Sequence, residues 1–138
     1  MKDKSKKPKK DFFSATGRRK EAVARVRLLL EGTGKIVVNG RDFTDYFSTI
    51  DNIMQVKKPL AVVELDQKID VAANVRGGGK GGQAGAVSLG ISRCLITWNP
   101  QLRSSLKRED LLTRDPRAKE RKKYGRKGAR KRFQWTKR

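Results

Sequence analysis

Alternating apolar and polar residues dominate the first third of the chain and predict β-strands within residues 12–40. Arg25 and Arg27 occupy one face of this pattern, and apolar side chains occupy the other at a spacing of two. The apolar positions are Ala22, Ala24, Val26, Leu28 and Leu30. This pattern predicts a strand with one face in a core and one face toward solvent.

Two turns are expected after this strand. Residues 31–34 have the composition of a turn, so we expect residues 35–38 to be the return strand of a hairpin. Asn39 and Gly40 form a second candidate turn, because both residues tolerate left-handed backbone conformations.

Residues 41–58 change from strand spacing to helical spacing and predict one or two short helices. Three aromatic residues recur three and four positions apart: Phe43, Tyr46 and Phe47. Core packing is the favoured interpretation of this stripe. Pro59, after two lysines, is expected to end the helical segment, and residues 60–65 fit either helix or strand.

A second strand and a long helix follow, separated by glycines. Four alternating apolar residues predict a strand ending at Arg76: Ile69, Val71, Ala73 and Val75. Residues 77–82 form a glycine-rich loop, and residues 83–98 are predicted to form the main core helix. Its apolar face comprises Ala84, Val87, Ile91 and Leu95. Asn99 and Pro100 are expected to end it.

The formal net charge of +21 over 138 residues is unevenly distributed. Residues 1–10 hold six Lys and one Asp, whereas residues 114–138 hold 13 Lys or Arg and two acidic residues. The residues between have the balance of one mildly basic globular domain. We therefore expect a disordered basic arm at residues 1–11, an α/β domain at 12–113 and an extended basic tail at 114–138.

The tail is too polar to fold alone. Its large apolar residues are the aromatics Tyr124, Phe133 and Trp135, so it cannot bury enough surface to offset the entropy of ordering. Such charge density indicates a polyanionic binding partner, and a nucleic acid is favoured. An anionic membrane surface is the weaker alternative, because no basic stretch also carries a continuous apolar face. The aromatics are candidates for base stacking. Anchoring against the folded domain or against a neighbouring protein is the alternative, and for Tyr124 the two interpretations are evenly balanced.

The glycine-rich loop at residues 77–82 invites a nucleotide-binding interpretation. It satisfies G-x-G-x-x-G, but five of its six residues are glycine, so the match carries little information. A dinucleotide site also needs an acidic residue about 20 positions on, which is missing, and Gly81 stands where a P-loop requires Ser or Thr. A glycine loop before a helix equally suits an RNA phosphate, to which Lys80 would add charge.

Three adjacent cations, Arg18, Arg19 and Lys20, follow Gly17 and are candidates for phosphate contact, with a solvated bend as the alternative. The chain has no histidine, the commonest general base and metal ligand. Cys94, the single cysteine, is expected to be a small buried residue of the core helix. No catalytic constellation and no apolar run of about 18 residues occurs, so neither an enzyme nor a membrane-spanning protein is predicted.

Several basic and glycine-rich motifs occur in order between residues 14 and 138. They are ATGRRK (15–20), VARVRL (23–28), GKIVVNG (34–40), GGGKGGQ (77–83), LTRDPR (112–117), ERKKYG (120–125), KGAR (127–130) and the terminal Lys137-Arg138. Together they closely resemble the family of small-subunit ribosomal protein nine in its bacterial and organellar form. Residues 1–10 lie outside the resemblance.

The resemblance implies a fold and a function. The fold would be α/β (α+β), with a small, mostly four-stranded sheet, helices packed on one face, and a long extended basic C-terminal tail. The protein would be a structural constituent of the small ribosomal subunit and bind the 3′ major (head) domain of small-subunit ribosomal RNA. Its tail would reach the anticodon stem-loop of the P-site tRNA during translation. It would contact neighbouring head proteins and need no cofactor, metal, membrane or small-molecule substrate.

The resemblance also indicates which residues would bind. Contact with tRNA is expected from Lys137 and Arg138. Contact with ribosomal RNA is expected from the 18–20 cluster, the glycine loop with its helix, and the tail. These residues are Arg18, Arg19, Lys20, Gly78, Gly79, Lys80, Gln83, Arg93, Arg114, Arg117, Arg121, Lys122, Lys123, Tyr124, Arg126, Lys127, Arg130, Lys131 and Arg132.

Two other functions and one other location stay open. A free nucleic-acid-binding module, such as an RNA chaperone or a histone-like protein, would share the charge without requiring the motifs. An enzyme acting on RNA is disfavoured by the missing histidine and the missing acidic pocket. The expected location is the cytoplasmic ribosome, with an organellar ribosome as the alternative.

Overall fold

A five-stranded mixed β-sheet with helices on one face forms the folded part of the chain. This computed structural model describes residues 12–137. The strands are β1 (Phe12–Arg19), β2 (Ala22–Leu29), β3 (Ile36–Val38), β4 (Arg41–Asp42) and β5 (Asp70–Arg76). The helices are α1 (Phe43–Tyr46), α2 (Ile50–Val62), α3 (Lys80–Trp98) and α4 (Arg103–Arg108), with a 3-10 turn at Pro100–Leu102.

The sheet has the order β1-β2-β5-β3-β4. β2 pairs antiparallel with both β1 and β5, β3 pairs parallel with β5, and the two-residue β4 closes the edge antiparallel to β3. The predicted fold class is confirmed, with the short fifth strand β4 as an addition to the expected four.

The core lies between one face of the sheet and the helices. Every second residue of β2 and β5 is buried there, as the alternation predicts, while the intervening residues face away. α3 lies across β1 and β2 and also packs against α2, so it is buried from Gly82 to Ser92 without interruption. Cys94 is fully buried in this core, which raises the pKa of its thiol to about 12 and confirms the prediction of a small buried residue in the core helix.

The predicted pairing of residues 35–38 with the preceding strand is wrong. The hairpin is instead β1–β2, joined at Lys20 and Glu21, with Lys20 in a left-handed conformation (φ 52°). β5 lies between β2 and β3 and separates the two predicted partners. Asp70 at the start of β5 accepts hydrogen bonds from the amides of Thr33 (2.8 Å) and Lys35 (2.9 Å), which holds the β2–β3 connection to β5.

The predicted helix end at Pro59 is also wrong. α2 continues through Pro59 to Val62, because Val56 and Leu60 on either side are fully buried against the core. Their burial outweighs the hydrogen bond that a proline removes. This result also assigns the first residues of the undecided 60–65 segment to a helix.

The remaining predicted boundaries agree closely with the structure. The strand ending at Arg76 is present as β5, and the turn at Asn39 and Gly40 joins β3 to β4 with φ of 50° and 79°. The core helix ends at Trp98 with Asn99 as its C-cap, as predicted, but begins three residues early, at Lys80. Residues 111–137 contain no helix or strand. The predicted arm at residues 1–11 lies outside the described residues.

Candidate nucleic-acid interface

The glycine loop between β5 and α3 has a backbone that other residues would strain. Gly77 and Gly78 have φ of +75° and +64°. A Cβ on Gly77 would also lie 2.6 Å from the carbonyl oxygen of Glu21, in the β1–β2 turn. Gly79 is the N-cap of α3, and no side chain caps the helix. The loop therefore brings bare backbone and a helix N-terminus to one edge of the sheet.

A polar network holds this loop in place. Gln83 is buried, and its side-chain Nε2 donates to the carbonyl oxygen of Gly77 (3.1 Å). The hydroxyl of Tyr46 donates to Gln83 Oε1 (2.7 Å), which links the loop to α1. Asn39 pairs with Val75 like a neighbouring strand, because its Oδ1 accepts from the Val75 amide (2.8 Å) and its Nδ2 donates to the Val75 carbonyl (3.0 Å).

Lys80 contributes positive charge at the start of α3. Its Nζ lies 3.3 Å from the ring centroid of Tyr46, a cation–π contact, and the residue is exposed. The loop, Lys80 and the β1–β2 turn with Lys20 all lie at the same edge of the sheet, since Gly77 and Gly78 contact Glu21 and Ala22. The structure thus brings together two predicted groups that are almost 60 residues apart in the sequence.

The three adjacent cations of the first motif are placed differently from one another. Arg18 and Lys20 are exposed. The Arg19 side chain lies against Gly85 of α3, with 25% of its surface exposed and its Nη2 3.7 Å from a carboxylate oxygen of Asp115. The Nε of Arg19 is buried and has no partner among the described residues. Arg19 therefore connects β1, α3 and residues 114–117, the start of the tail, which we call the root of the tail.

Arg93 also makes a contact within the fold. Its Nη1 donates to the carbonyl oxygen of Thr16 (2.7 Å), which ties α3 to β1. Arg93 and Gln83 thus have internal partners, and their predicted contact with RNA stays a prediction.

The root of the tail is fixed by an acidic residue. Asp115 accepts two side-chain hydrogen bonds from Arg117 Nε, and a third from Arg117 Nη2 at 2.8 Å. These hydrogen bonds, with the charges of Arg117 and Arg19, lower the pKa of Asp115 well below its ordinary value. The carboxylate is therefore ionised throughout the neutral and mildly acidic range.

A second acidic residue organises the middle of the tail. Glu120 accepts hydrogen bonds from Lys123 and from Arg130 Nε, which lower its pKa. Lys123 Nζ also donates to the carbonyl oxygen of Ala129 (3.3 Å). The chain between residues 120 and 130 therefore forms a small loop around one carboxylate.

The aromatic side chains of the tail and most of its other cations are exposed to solvent. Tyr124, Phe133 and Trp135 are 95%, 64% and 79% exposed. Tyr124 is therefore not anchored on the folded domain, and base stacking and contact with a neighbouring protein stay as its two predicted roles. Further predicted contact residues are exposed and carry no acidic partner within the described residues: Arg114, Arg121, Lys122, Lys127, Lys131, Arg132 and Lys137. Arg126 is half-buried, and Arg138 lies outside the described range.

Residues 12–137 contain neither a candidate metal site nor a candidate membrane-spanning helix. No cluster of three or more His, Cys, Asp or Glu there could hold a metal ion. No helix in this range is sufficiently long and apolar to span a bilayer.

Comparison with known proteins decides the family. A family model described as ribosomal protein S9/S16 matches residues 17–138. The chain belongs to this family. The small ribosomal subunit protein uS9 of Maridesulfovibrio salexigens is 57% identical over 129 residues, which cover 94% of this chain and 98% of the relative. The uS9 of Methylacidiphilum infernorum is 53% identical over 131 residues (95% and 96%), and that of Anaeromyxobacter dehalogenans is 56% identical over 122 residues (88% and 93%).

Membership of the S9/S16 family confirms the resemblance inferred from the motifs. The individual contact residues stay predictions, because the match concerns the whole chain. One group of cations was absent from the predicted set. Arg25 and Arg27 were visible as the polar half of the β2 alternation, yet sequence alone did not indicate what the opposite face of the sheet would carry.

Proposed function

We propose that this protein is a structural constituent of the small ribosomal subunit that binds the 3′ major domain of its ribosomal RNA. The supporting observation is the joint position of the glycine loop, Lys80 and Lys20 at one edge of the sheet. The relatives carry the name of a small-subunit protein, and this chain spans nearly all of their length. The proposed role is structural rather than catalytic, in the cytoplasmic ribosome, with an organellar ribosome as the alternative.

The glycine loop would receive an RNA phosphate through its backbone. The first amides of α3 have no side-chain cap, and the first turn of the helix contains no acidic residue, so an anion would meet free N–H groups there. Lys80 and Lys20 add point charges beside this position. The buried Gln83 and Tyr46 would act by holding the loop, since their side-chain atoms are bonded to each other and to Gly77.

The tail would bind by threading along RNA. Its cations stand on a chain without helix or strand, so they can follow the path of a phosphate backbone. An arginine guanidinium can donate two parallel hydrogen bonds to phosphate oxygens, and the exposed aromatic rings can stack on unpaired bases. The Arg19–Asp115 contact would set the direction in which the tail leaves the domain.

The end of the tail would contact P-site tRNA through Lys137 and Arg138. Deleting these two residues should weaken tRNA binding to the P site of purified subunits and leave subunit assembly intact, because the other tail cations remain. Replacing Lys131 and Arg132 by Gln removes the same charge farther from the end and serves as the control. Defective assembly with unchanged tRNA affinity would contradict this division of roles.

The loop proposal is tested by binding of the full chain to a transcribed 3′ major domain. Replacing Lys20 and Lys80 by Gln should lower the log–log salt slope of binding by about 0.7–0.9 for each phosphate that is no longer neutralised. The matched control replaces two exposed cations of α4, Lys107 and Arg108, and should keep the wild-type slope. A wild-type slope for the Lys20 and Lys80 variant would show that the glycine loop does not bind this RNA.

A further inference from the structure

The face of the sheet turned away from the helices is uncovered and basic. We call it the open sheet face and define it by the outward residues of β2 and β5: Val23, Arg25, Arg27, Leu29, Asp70, Ala72, Asn74 and Arg76. All of these except Leu29 and Asp70, together with Val37, Asn39 and Gly40, line a shallow groove of about 570 Å³. The groove is separate from the helix layer and from the root of the tail, which lies against Arg19 and α3.

Strand register places the arginines beside small neighbours. Arg25 stands between Thr16 on β1 and Asn74 on β5, and Arg27 stands between Ser14 and Ala72. Arg76 lies at the loop end of β5, opposite Val23. Because side chains on one face of neighbouring strands lie side by side, the three guanidinium groups share a floor of short side chains.

The three arginines of this face, Arg25, Arg27 and Arg76, form no ion pair within residues 12–137. One carboxylate, Asp70, lies at the end of the face away from Arg76, and a second, Asp42, borders it; both accept backbone hydrogen bonds. Asp70 accepts from the amides of Thr33 and Lys35, and Asp42 accepts from the amide of Thr44. The face is therefore complementary to a polyanion.

The side chains of the face favour a nucleic-acid backbone over a protein surface. A protein interface usually centres on large apolar or aromatic anchors, whereas the groove at the centre of this face has a floor of Ala72, Val37 and Val23. The large apolar residues of the face, Phe12 and Leu29, pair with each other at one end of it. Arginine forks fit phosphate oxygens in pairs. Arg side chains two positions apart on a strand are about 7 Å apart along it, so Arg25 and Arg27 can contact two different phosphates.

The same side chains favour duplex RNA over single strands. Sheets that bind single-stranded RNA stack two or three bases on exposed aromatic rings. The described part of this face has one aromatic residue, Phe12, and the guanidinium of Arg27 lies over its ring at 5.3 Å from the centroid. A-form duplexes are bound mainly through phosphates and 2′-hydroxyls, for which Asn74, Ser14 and Thr16 supply donors and acceptors.

We propose that the open sheet face binds the sugar–phosphate backbone of a duplex RNA segment, as a second RNA contact separate from the glycine loop and the tail. This inference rests on the proposed function and adds a surface to it. The domain would then lie between two RNA segments, one at the open sheet face and one at the tail and loop.

The test compares two double variants of the full chain on the transcribed 3′ major domain. Arg25→Gln with Arg76→Gln should weaken binding at least severalfold, lower the log–log salt slope by about 0.7–0.9 per phosphate no longer neutralised, and remove one block of hydroxyl-radical protection in a duplex. Arg27 is left in place because it contacts Phe12. The control, Arg103→Gln with Arg108→Gln, removes the same charge from α4 and should bind as wild type. Equal melting temperatures for all proteins establish that folding is unchanged.

The outcomes separate this inference from the proposed function. If wild type and both double variants bind with the same slope and footprint, the open sheet face does not contact RNA, while the proposed function stands. That result would leave an acidic protein as the partner for this face. If the protection that disappears falls in single-stranded loops, the duplex assignment is wrong. If wild type binds the 3′ major domain no better than an unrelated RNA of equal length, the proposed function fails and this inference fails with it.

Discussion

Two glycines, Gly17 and Gly90, determine how closely the core helix α3 lies on the sheet. A Cβ on Gly17 would lie 1.8 Å from the carbonyl oxygen of Ala86, and a Cβ on Gly90 would lie 2.5 Å from Val26 Cγ2. Both distances are shorter than any van der Waals contact, so only glycine fits. This packing fixes the position of the α3 N-terminus, and with it the loop that precedes it.

The substitution Gly90→Ala should therefore destabilise the fold. The added methyl group would meet the fully buried, rotamer-restricted Val26 side chain, and overpacking of this kind costs about 1–3 kcal/mol. Gly81→Ala in the same helix is the control. Its nearest neighbour would be Asn52 Oδ1 at 3.8 Å, so it should be neutral or stabilise by up to about 1 kcal/mol. Urea unfolding measures both, and equal free energies of unfolding would contradict the close packing of α3 on β2.

Asn39 shows at residue scale what the sequence indicated and what it did not. The Asn-Gly pair predicted a turn, and the turn is present. The two hydrogen bonds of the Asn39 side chain to Val75 were not predictable, because they depend on β5 becoming the neighbour of β3. A local motif indicated the conformation, whereas a contact 36 residues away gives the side chain its role.

Strand β5 is the element on which the site depends. It occupies the centre of the sheet, forms the β3 and β2 ladders, and ends in the glycine loop. Its C-terminal end is held by Asn39, which satisfies both the amide and the carbonyl of Val75.

Removing this support should cost stability. Asn39→Ala leaves two part-buried backbone groups without partners, at about 1–3 kcal/mol, and adds strain because φ is +50°. Asn39→Gly removes the strain but still lacks the hydrogen bonds, so it should recover only part of the stability. Asn74→Ala, on the exposed face of β5, should change stability by less than about 0.5 kcal/mol. Thermal unfolding measures the stability of the three variants. An Asn39→Gly protein as stable as wild type would show that the two hydrogen bonds to Val75 contribute little to stability.

The strands and helices were predicted correctly only in part, because the partner of strand β3 and the end of helix α2 depend on tertiary contacts. Alternation at Ala22–Leu29 identified a strand and its buried face, because burial requires a period of two. Alternation carries no information about the neighbouring strand, so β3 was paired wrongly with β2. Local propensity likewise placed a helix end at Pro59, whereas burial of Leu60 extends α2 to Val62.

At the scale of the whole molecule, charge is divided between a folded domain and a basic tail, and Asp115 joins them. The carboxylate holds Arg117 of the tail and approaches Arg19 of the domain. Because the pKa of Asp115 is lowered, its interaction with Arg117 and Arg19 contributes fully to stability above the ordinary carboxyl value of 3.8, and this contribution is lost as pH falls from 3.8 through the lowered pKa.

The backbone around Asp115 and Arg117 should accordingly keep the same order from pH 8 to pH 5 and loosen only at a pH well below 3.8, where the carboxyl with the lowered pKa becomes protonated. The ¹⁵N heteronuclear NOE of the Arg117 amide measures this. Asp115→Asn should lower that NOE at pH 7, because an amide cannot form the ionic fork with Arg117. Asp110→Asn, at a nearby exposed carboxylate, should leave it unchanged. Loosening of wild type between pH 5 and pH 7 would contradict the ionised joint.

The charge pattern and the motifs together indicated most of the candidate interface, namely the 18–20 cluster, the glycine loop and the tail. They did not separate exposed cations from those used inside the fold, such as Arg19 and Arg93. They also missed the open sheet face, since Arg76 joins Arg25 and Arg27 only when β5 pairs with β2. Such features depend on tertiary pairing, which no single segment encodes.

We propose that this member of the S9/S16 family binds one RNA domain of the small ribosomal subunit. The most direct measurement is ultraviolet crosslinking of the full chain in living cells, followed by sequencing of the attached RNA. We predict one dominant set of crosslinks in the 3′ major domain of small-subunit ribosomal RNA, with anticodon-stem reads of tRNA from the end of the tail. Crosslinks spread evenly over many unrelated RNAs or DNA would contradict the claim and favour a general nucleic-acid chaperone.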